Sequence, residues 1–156
     1  MKFNRYIRIA ALALLTLASA AFAQDRGTPA EAKAMLDQAV AHVKAVGPDK
    51  AFADFTESNN GDWHRKDLYV FVVKFDGMTV AHGANKGFVG RNLIKVKDPD
   101  GKLFIKAMID EVKAKGEGSV DYSFTDPATK KISQKTSYVA RVPGYDGVIG
   151  VGVYKQ

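Results

Sequence analysis

Residues 69–82 read YVFVVKFDGMTVAH, and the way this stretch folds back decides the fold. Tyr69 to Phe75 is a run of aromatic and β-branched residues, the composition of a strand. Asp76-Gly77 is the strongest short hairpin signal, and Met78 to His82 is the returning strand. With Asp76 and Gly77 as a two-residue turn, Phe75 faces Met78, Val73 faces Val80 and Phe71 faces His82. Cross-strand partners share a face, so His82 is expected on the side of Tyr69, Phe71, Val73 and Phe75. A polar ring there needs a hydrogen-bond partner, because leaving it unpaired costs about 1–3 kcal/mol. Two readings of His82 stand at this point: a core-edge histidine bonded to backbone, and a ligand contact. The loop that follows favours the second. Gly83, Gly87 and Gly90 allow close backbone approach, and Asn85, Lys86, Arg91 and Asn92 add donors.

On the N-terminal side, Thr28-Pro29-Ala30-Glu31 is a helix start with a capping box and proline at the first position. Ala32, Met35, Leu36, Ala39, Val40 and Val43 recur at helical spacing up to Gly47-Pro48. A shorter helix from Asp49 to Glu57 and a turn at Ser58 to Asp62 precede the hairpin. On the C-terminal side, Lys102 to Lys115 reads as an amphipathic helix ended by Gly116. Three strands follow, Ser119–Thr125, Ile132–Val142 and Val148–Tyr154, separated by Pro- and Gly-containing turns. Two helices, a hairpin, a helix and three strands make an α+β domain: an antiparallel five-stranded sheet covered by helices.

Residues 1–23 stand apart. Lys2, Arg5 and Arg8 form a basic start, Ile9 to Leu17 is nearly all apolar, and Ala21-Phe22-Ala23 is a small-x-small site before Gln24. This is the pattern of a cleaved secretory signal peptide; as an anchor, the apolar run is short of the roughly 20 residues that span a bilayer. The expected organisation is a signal peptide, 1–23, and one domain, 24–156, in the periplasm or secreted. The leader holds three of the 23 basic residues and none of the 17 acidic ones, leaving +3 on the remainder. That is far from a nucleic-acid footprint. With no cysteine there is no thiol chemistry or disulfide.

Other chemistry-bearing residues are weighed individually. Lys135 lies mid-strand, either on a solvated face with Ser133, Ser137 and Arg141 or as a cation for a carboxylate. Tyr122 and Tyr138 are core residues or contacts. Gly150 and Gly152 share one face of the last strand and leave room there. His42, His64 and His82 lack metal-ligand spacing. Gly87-Phe88-Val89-Gly90 imitates an RNA-binding GxxG clamp without the charge to support it. The Gly83–Gly87 segment is no phosphate loop, and neither Ser123 nor Ser137 sits in a nucleophile motif. No catalytic chemistry and no cofactor are expected.

An ordered set of blocks does carry a resemblance: the strand–Asp-Gly–strand–Ala-His unit at 69–82, DPDGKLF at 98–104, GEGSVDY at 116–122, KTSY at 135–138 and GVGVY at 150–154. Together they resemble the single Cache domain, type 2, across nearly all of the chain after the leader. The resemblance implies a PAS-like sheet with a long N-terminal helix and a short helix between the second and third strands. It also implies an extracytoplasmic sensor that binds a small carboxylate or amino acid over the sheet. Carried onto this sequence, His82, Lys135, Tyr138, Tyr122 and Tyr69 are the ligand candidates. Gly83 replaces a proline common in the family, implying a looser loop. No signalling domain follows, so output would require a membrane receptor or kinase partner. The expected function is binding of a small organic acid; the alternative is a ligand-free scaffold module of an envelope complex.

Overall fold

A computed structural model describes residues 25–57 and 61–155. The signal-peptide reading therefore lies outside the described residues, as does most of the Ser58–Asp62 turn. Helix α1 (Pro29–Val46) begins as its sequence requires: Thr28 Oγ1 accepts from the Glu31 amide at 3.2 Å, and Glu31 Oε2 accepts from the Thr28 amide at 2.8 Å. Helix α2 spans Pro48–Glu57. The strands are β1 (His64–Arg65), β2 (Leu68–Lys74), β3 (Thr79–His82), β4 (Glu117–Thr125), β5 (Ile132–Arg141) and β6 (Gly147–Tyr154), with helix α3 (Phe104–Lys115) between β3 and β4.

All pairings are antiparallel, in the order β1-β2-β6-β5-β4 with β3 also on β2. Because β1 pairs with Leu68–Tyr69 and β3 with Phe71–Val73, the two occupy successive stretches of the same edge of β2. The sheet thus has five strand positions and six strands; the two-residue β1 carries too little pattern to be read from sequence. Central β2 and β6 are buried along both faces because helices cover both. Ala32, Met35, Leu36, Ala39 and Val43 of α1 pack with α2 on the side of Val70, Val72, Ile149, Val151 and Val153. Phe104, Ile105, Met108, Ile109 and Val112 of α3 pack on the other side, against Phe71, Val73, Val120, Tyr122 and Val139.

The hairpin differs from its expected form in an instructive way. The Lys74 amide bonds the Met78 carbonyl, so the turn holds three residues, with Gly77 at φ +92. Left alone, that extra residue would put His82 on the wrong face, since a one-residue slip inverts every side chain. A β-bulge cancels it: Val73 pairs with Thr79, and the register then shifts so that Phe71 pairs with His82. Val80 is the extra residue. His82 therefore faces as expected, while Thr79, not Val80, lies opposite Val73. The bulge puts Thr79 and His82 on one face, which simple alternation forbids for residues three apart.

Candidate functional site

The α3 side of the sheet holds a hollow of about 330 Å³, lined by Tyr69, His82, Ala84, Asn85, Phe88 and Phe124, with Thr125, Pro127 and Lys130 also on its wall. His82 is fixed in it. Its ring lies between Tyr69 and Phe88, at centroid distances of 4.8 and 5.0 Å. The Asn85 amide donates to His82 Nδ1 at 3.1 Å, so in the neutral ring Nε2 carries the proton. Burial, reinforced by the positive charge of Lys135, pushes the imidazole down to about 3 from 6.5. His82 is thus a neutral N–H donor across the physiological range.

Gly83 does not loosen this region. Its amide donates to the Val70 carbonyl at 2.9 Å, a bond that proline cannot make. A Cβ there would press on the Phe55 and Trp63 carbonyls and the Tyr69 Cβ, each 3.2 Å away. The loop is held by its backbone instead of by a ring.

Lys135 is not on a solvated face: it and Ser137 are fully buried. Its register opposite Tyr122 and Tyr154 sends it to the His82 side. There its Nζ donates to Tyr69 Oη at 2.6 Å and reaches Tyr154 Oη at 3.5 Å. The ammonium also lies 4.1 Å from the Tyr69 ring centroid and 4.6 Å from that of Tyr154, within cation–π range. The room for it comes from Gly152, where a Cβ would overlap Lys135 Cε and Ser137 Oγ; Gly150 does the same for the Phe71 ring. Among the described residues no carboxylate pairs with Lys135. Desolvation pulls its pKa down to about 7, against a weaker upward pull from Asp67 and Asp126. Those two carboxylates are held by Arg26, at 3.3 and 2.6 Å.

Of the five sequence candidates, Tyr69, His82, Tyr122 and Lys135 share one face. Tyr69 and His82 line the hollow; Lys135 stands behind Tyr69, sealed from it. Tyr122 lies deeper, its ring stacked on Phe104 at 4.7 Å and its hydroxyl paired with Ser137 Oγ at 2.9 Å. Tyr138 is not brought to this group. Three residues from Lys135 on a regular strand, it faces α1, where Lys33 Nζ lies 4.9 Å from its ring centroid. Sequence reasoning missed Tyr154, Phe88, Phe124 and Thr79. Tyr154 was within reach: it follows Gly150 and Gly152 on the same face.

An antiparallel sheet in this order, a long helix behind it and a half-closed hollow in front is the plan of a PAS-like sensor domain. The family is specific: residues 9–156 match the model of single Cache domain 2, and the chain belongs to that family. It is 36% identical over 89 residues to the sensor histidine kinase MctS of Rhizobium johnstonii, a stretch covering 57% of this chain and 19% of the kinase. It is 27% identical over 88 residues to the methyl-accepting chemotaxis protein McpP of Pseudomonas putida, covering 56% of this chain and 16% of that protein. The chain thus spans under a fifth of the length of these relatives. Among solved structures, a methyl-accepting chemotaxis protein from Vibrio parahaemolyticus superposes with a TM-score of 0.69 at 23% identity, over 80% of this chain and 86% of that one. A Cache chemosensory domain whose structure explains carboxylic acid recognition superposes at 0.67 and 22% identity, over 81% and 92%. No described helix is long and apolar enough to cross a membrane.

Proposed function

We propose that this chain is a periplasmic sensor module that binds a small organic acid in the hollow beside His82, performs no chemistry on it, and passes the bound state to a membrane receptor or kinase. The observation that carries this reading is Lys135: an ammonium buried to 0% exposure, bonded to phenols and paired with no carboxylate among the described residues, with only the weaker pull of Asp67 and Asp126, both held by Arg26. A buried charge without a paired counter-ion is costly, and an anionic ligand on the other side of Tyr69 relieves it. Tyr69 links the two. With its oxygen accepting from Lys135, its own O–H is a strengthened donor. The acid's carboxylate takes the Tyr69 O–H and the His82 Nε2–H, with Lys130 nearby on the pocket wall. The carboxylic acid recognised by the superposed Cache domain agrees with this reading, and a hollow of about 330 Å³ favours it over a solid scaffold module.

The test is a thermal-shift screen of C2–C4 mono- and dicarboxylates, with native mass spectrometry of the protein from its own periplasm. A carboxylate that raises the melting midpoint of the wild type, and fails to do so in Lys135→Ala, is expected. No shift from any acid, or an undiminished shift in the variant, would falsify the reading.

A further inference from the structure

Deep to the main hollow lies a second, smaller one of about 30 Å³. The two share Tyr69, His82 and Phe124, so they adjoin, and a ligand held by Tyr69 and His82 lies beside the second. Space of roughly 10–15 Å³ admits one water-sized group, so the inner hollow takes one or two heavy atoms. Its walls are mostly apolar: Phe71, Val73, Leu93, Phe104 and Ile105 contribute to them. Its polar residues are Tyr69, Thr79, His82 and Tyr122, and Thr79 stands apart among them: it is 1% exposed, and its Oγ1 has no hydrogen-bond partner. Its backbone is fully engaged, the amide on the Arg91 carbonyl and the carbonyl on the Gly90 amide, so the side chain alone is unsatisfied. The other two hydroxyls there already have partners: Tyr69 accepts from Lys135, and Tyr122 is bonded to Ser137. Buried hydroxyls are normally paired, and the bulge at Val80 is what turns this one onto the ligand face.

We propose that Thr79 is a specificity-determining ligand contact: its hydroxyl bonds a neutral oxygen, hydroxyl or keto, carried by a short monocarboxylic acid, and the inner hollow receives that oxygen. This rests on the acid-binding reading above and adds to it the shape of the ligand beyond its carboxylate. A second carboxylate does not fit this description. Tyr69 and His82, which the two hollows share, are taken by the first carboxylate, so a second charge would meet Thr79 alone among apolar walls; that is strongly disfavoured, and dicarboxylates are rejected. Unsubstituted acids enter but leave Thr79 unpaired.

Titration calorimetry on the full chain with 2-hydroxypropanoate, propanoate and butanedioate decides the matter. The wild type is expected to prefer the hydroxy acid over propanoate by about tenfold, the worth of one buried hydrogen bond, and to reject butanedioate. Thr79→Val, which keeps the shape, should weaken the hydroxy acid about tenfold, leave propanoate unchanged and raise the ligand-free melting temperature. Thr79→Ser should retain the preference. Equal binding of the two monocarboxylates by the wild type, or a Thr79→Val change that affects both alike or neither, overturns this inference while leaving acid binding intact. Binding of none of the acids overturns both.

Discussion

The Tyr69 ring stands between His82 and Lys135, its centroid 4.8 Å from the imidazole centroid and 4.1 Å from the ammonium nitrogen. One side of the phenol meets a neutral donor in the hollow; its oxygen meets a cation sealed inside the sheet. On the proposed reading Lys135 acts on a ligand through Tyr69, and its cost and its use can be separated by substitution.

Lys135→Met keeps the stem and removes the charge. Replacing a buried charge by an apolar isostere is often neutral or stabilising, so the ligand-free protein should melt at the same temperature or higher. Acid affinity should fall at least about 30-fold, as expected when one partner of a buried charge pair is lost. Circular dichroism melts and calorimetry check both. A variant that is strongly destabilised yet still binds would assign Lys135 a structural role instead.

The same burial sets a pH dependence. Lys135 titrates near 7 in the fold and near 10.5 when unfolded, so between those values the unfolded chain holds more protons and ligand-free stability rises with pH. Ligand binding works in the opposite sense, because the anion selects the charged lysine. Affinity should be level from about pH 5 to 7 and drop up to about tenfold per unit above it. Calorimetry at pH 8 in buffers of different ionisation enthalpy should report uptake of close to one proton. A pH-independent affinity between 7 and 9 excludes this coupling.

Much of this site was legible before the structure, and the reasons are local. A capping box fixes α1, and period-two alternation fixes which residues of β4 and β5 share a face. The same alternation already separates Tyr138 from Lys135, a consequence the motif Lys-x-Ser-Tyr obscures. The two-residue turn predicts the correct face for His82 although the real turn is longer, because the extra turn residue and the bulge cancel. No sequence signal marks Val80 as the bulged residue, so Thr79 could not be assigned. That Lys135 lies behind Tyr69 and not in the hollow is a matter of tertiary packing: the space is made by Gly152 on a different strand.

His82 gives a second pH signature. Buried and neutral down to about 3 in the fold, it takes up a proton below 6.5 when unfolded. Its contribution is complete above pH 6.5 and is lost as the pH falls toward 3, at most on the order of 3–5 kcal/mol. His82→Gln cannot charge. Its urea-derived stability should therefore fall less steeply than that of the wild type between pH 6 and 4, and parallel slopes would show that His82 charges freely in the fold.

The space made by Gly152 can be tested apart from any ligand. Gly152→Ala drives a methyl into Lys135 Cε and Ser137 Oγ, while Gly150→Ala drives one into the Phe71 ring. Each should destabilise by about 1–3 kcal/mol, the usual cost of overpacking. Truncating the lysine removes most of the first clash and none of the second. Combined with Lys135→Ala, Gly152→Ala should therefore cost at least about 1 kcal/mol less than it does alone, whereas Gly150→Ala should add its full cost, as independent sites do. Denaturant unfolding of the two double-mutant cycles measures both couplings. If Gly152 and Lys135 prove additive, the lysine does not cross β6 where the structure puts it, and the Tyr69–Lys135 contact fails with it.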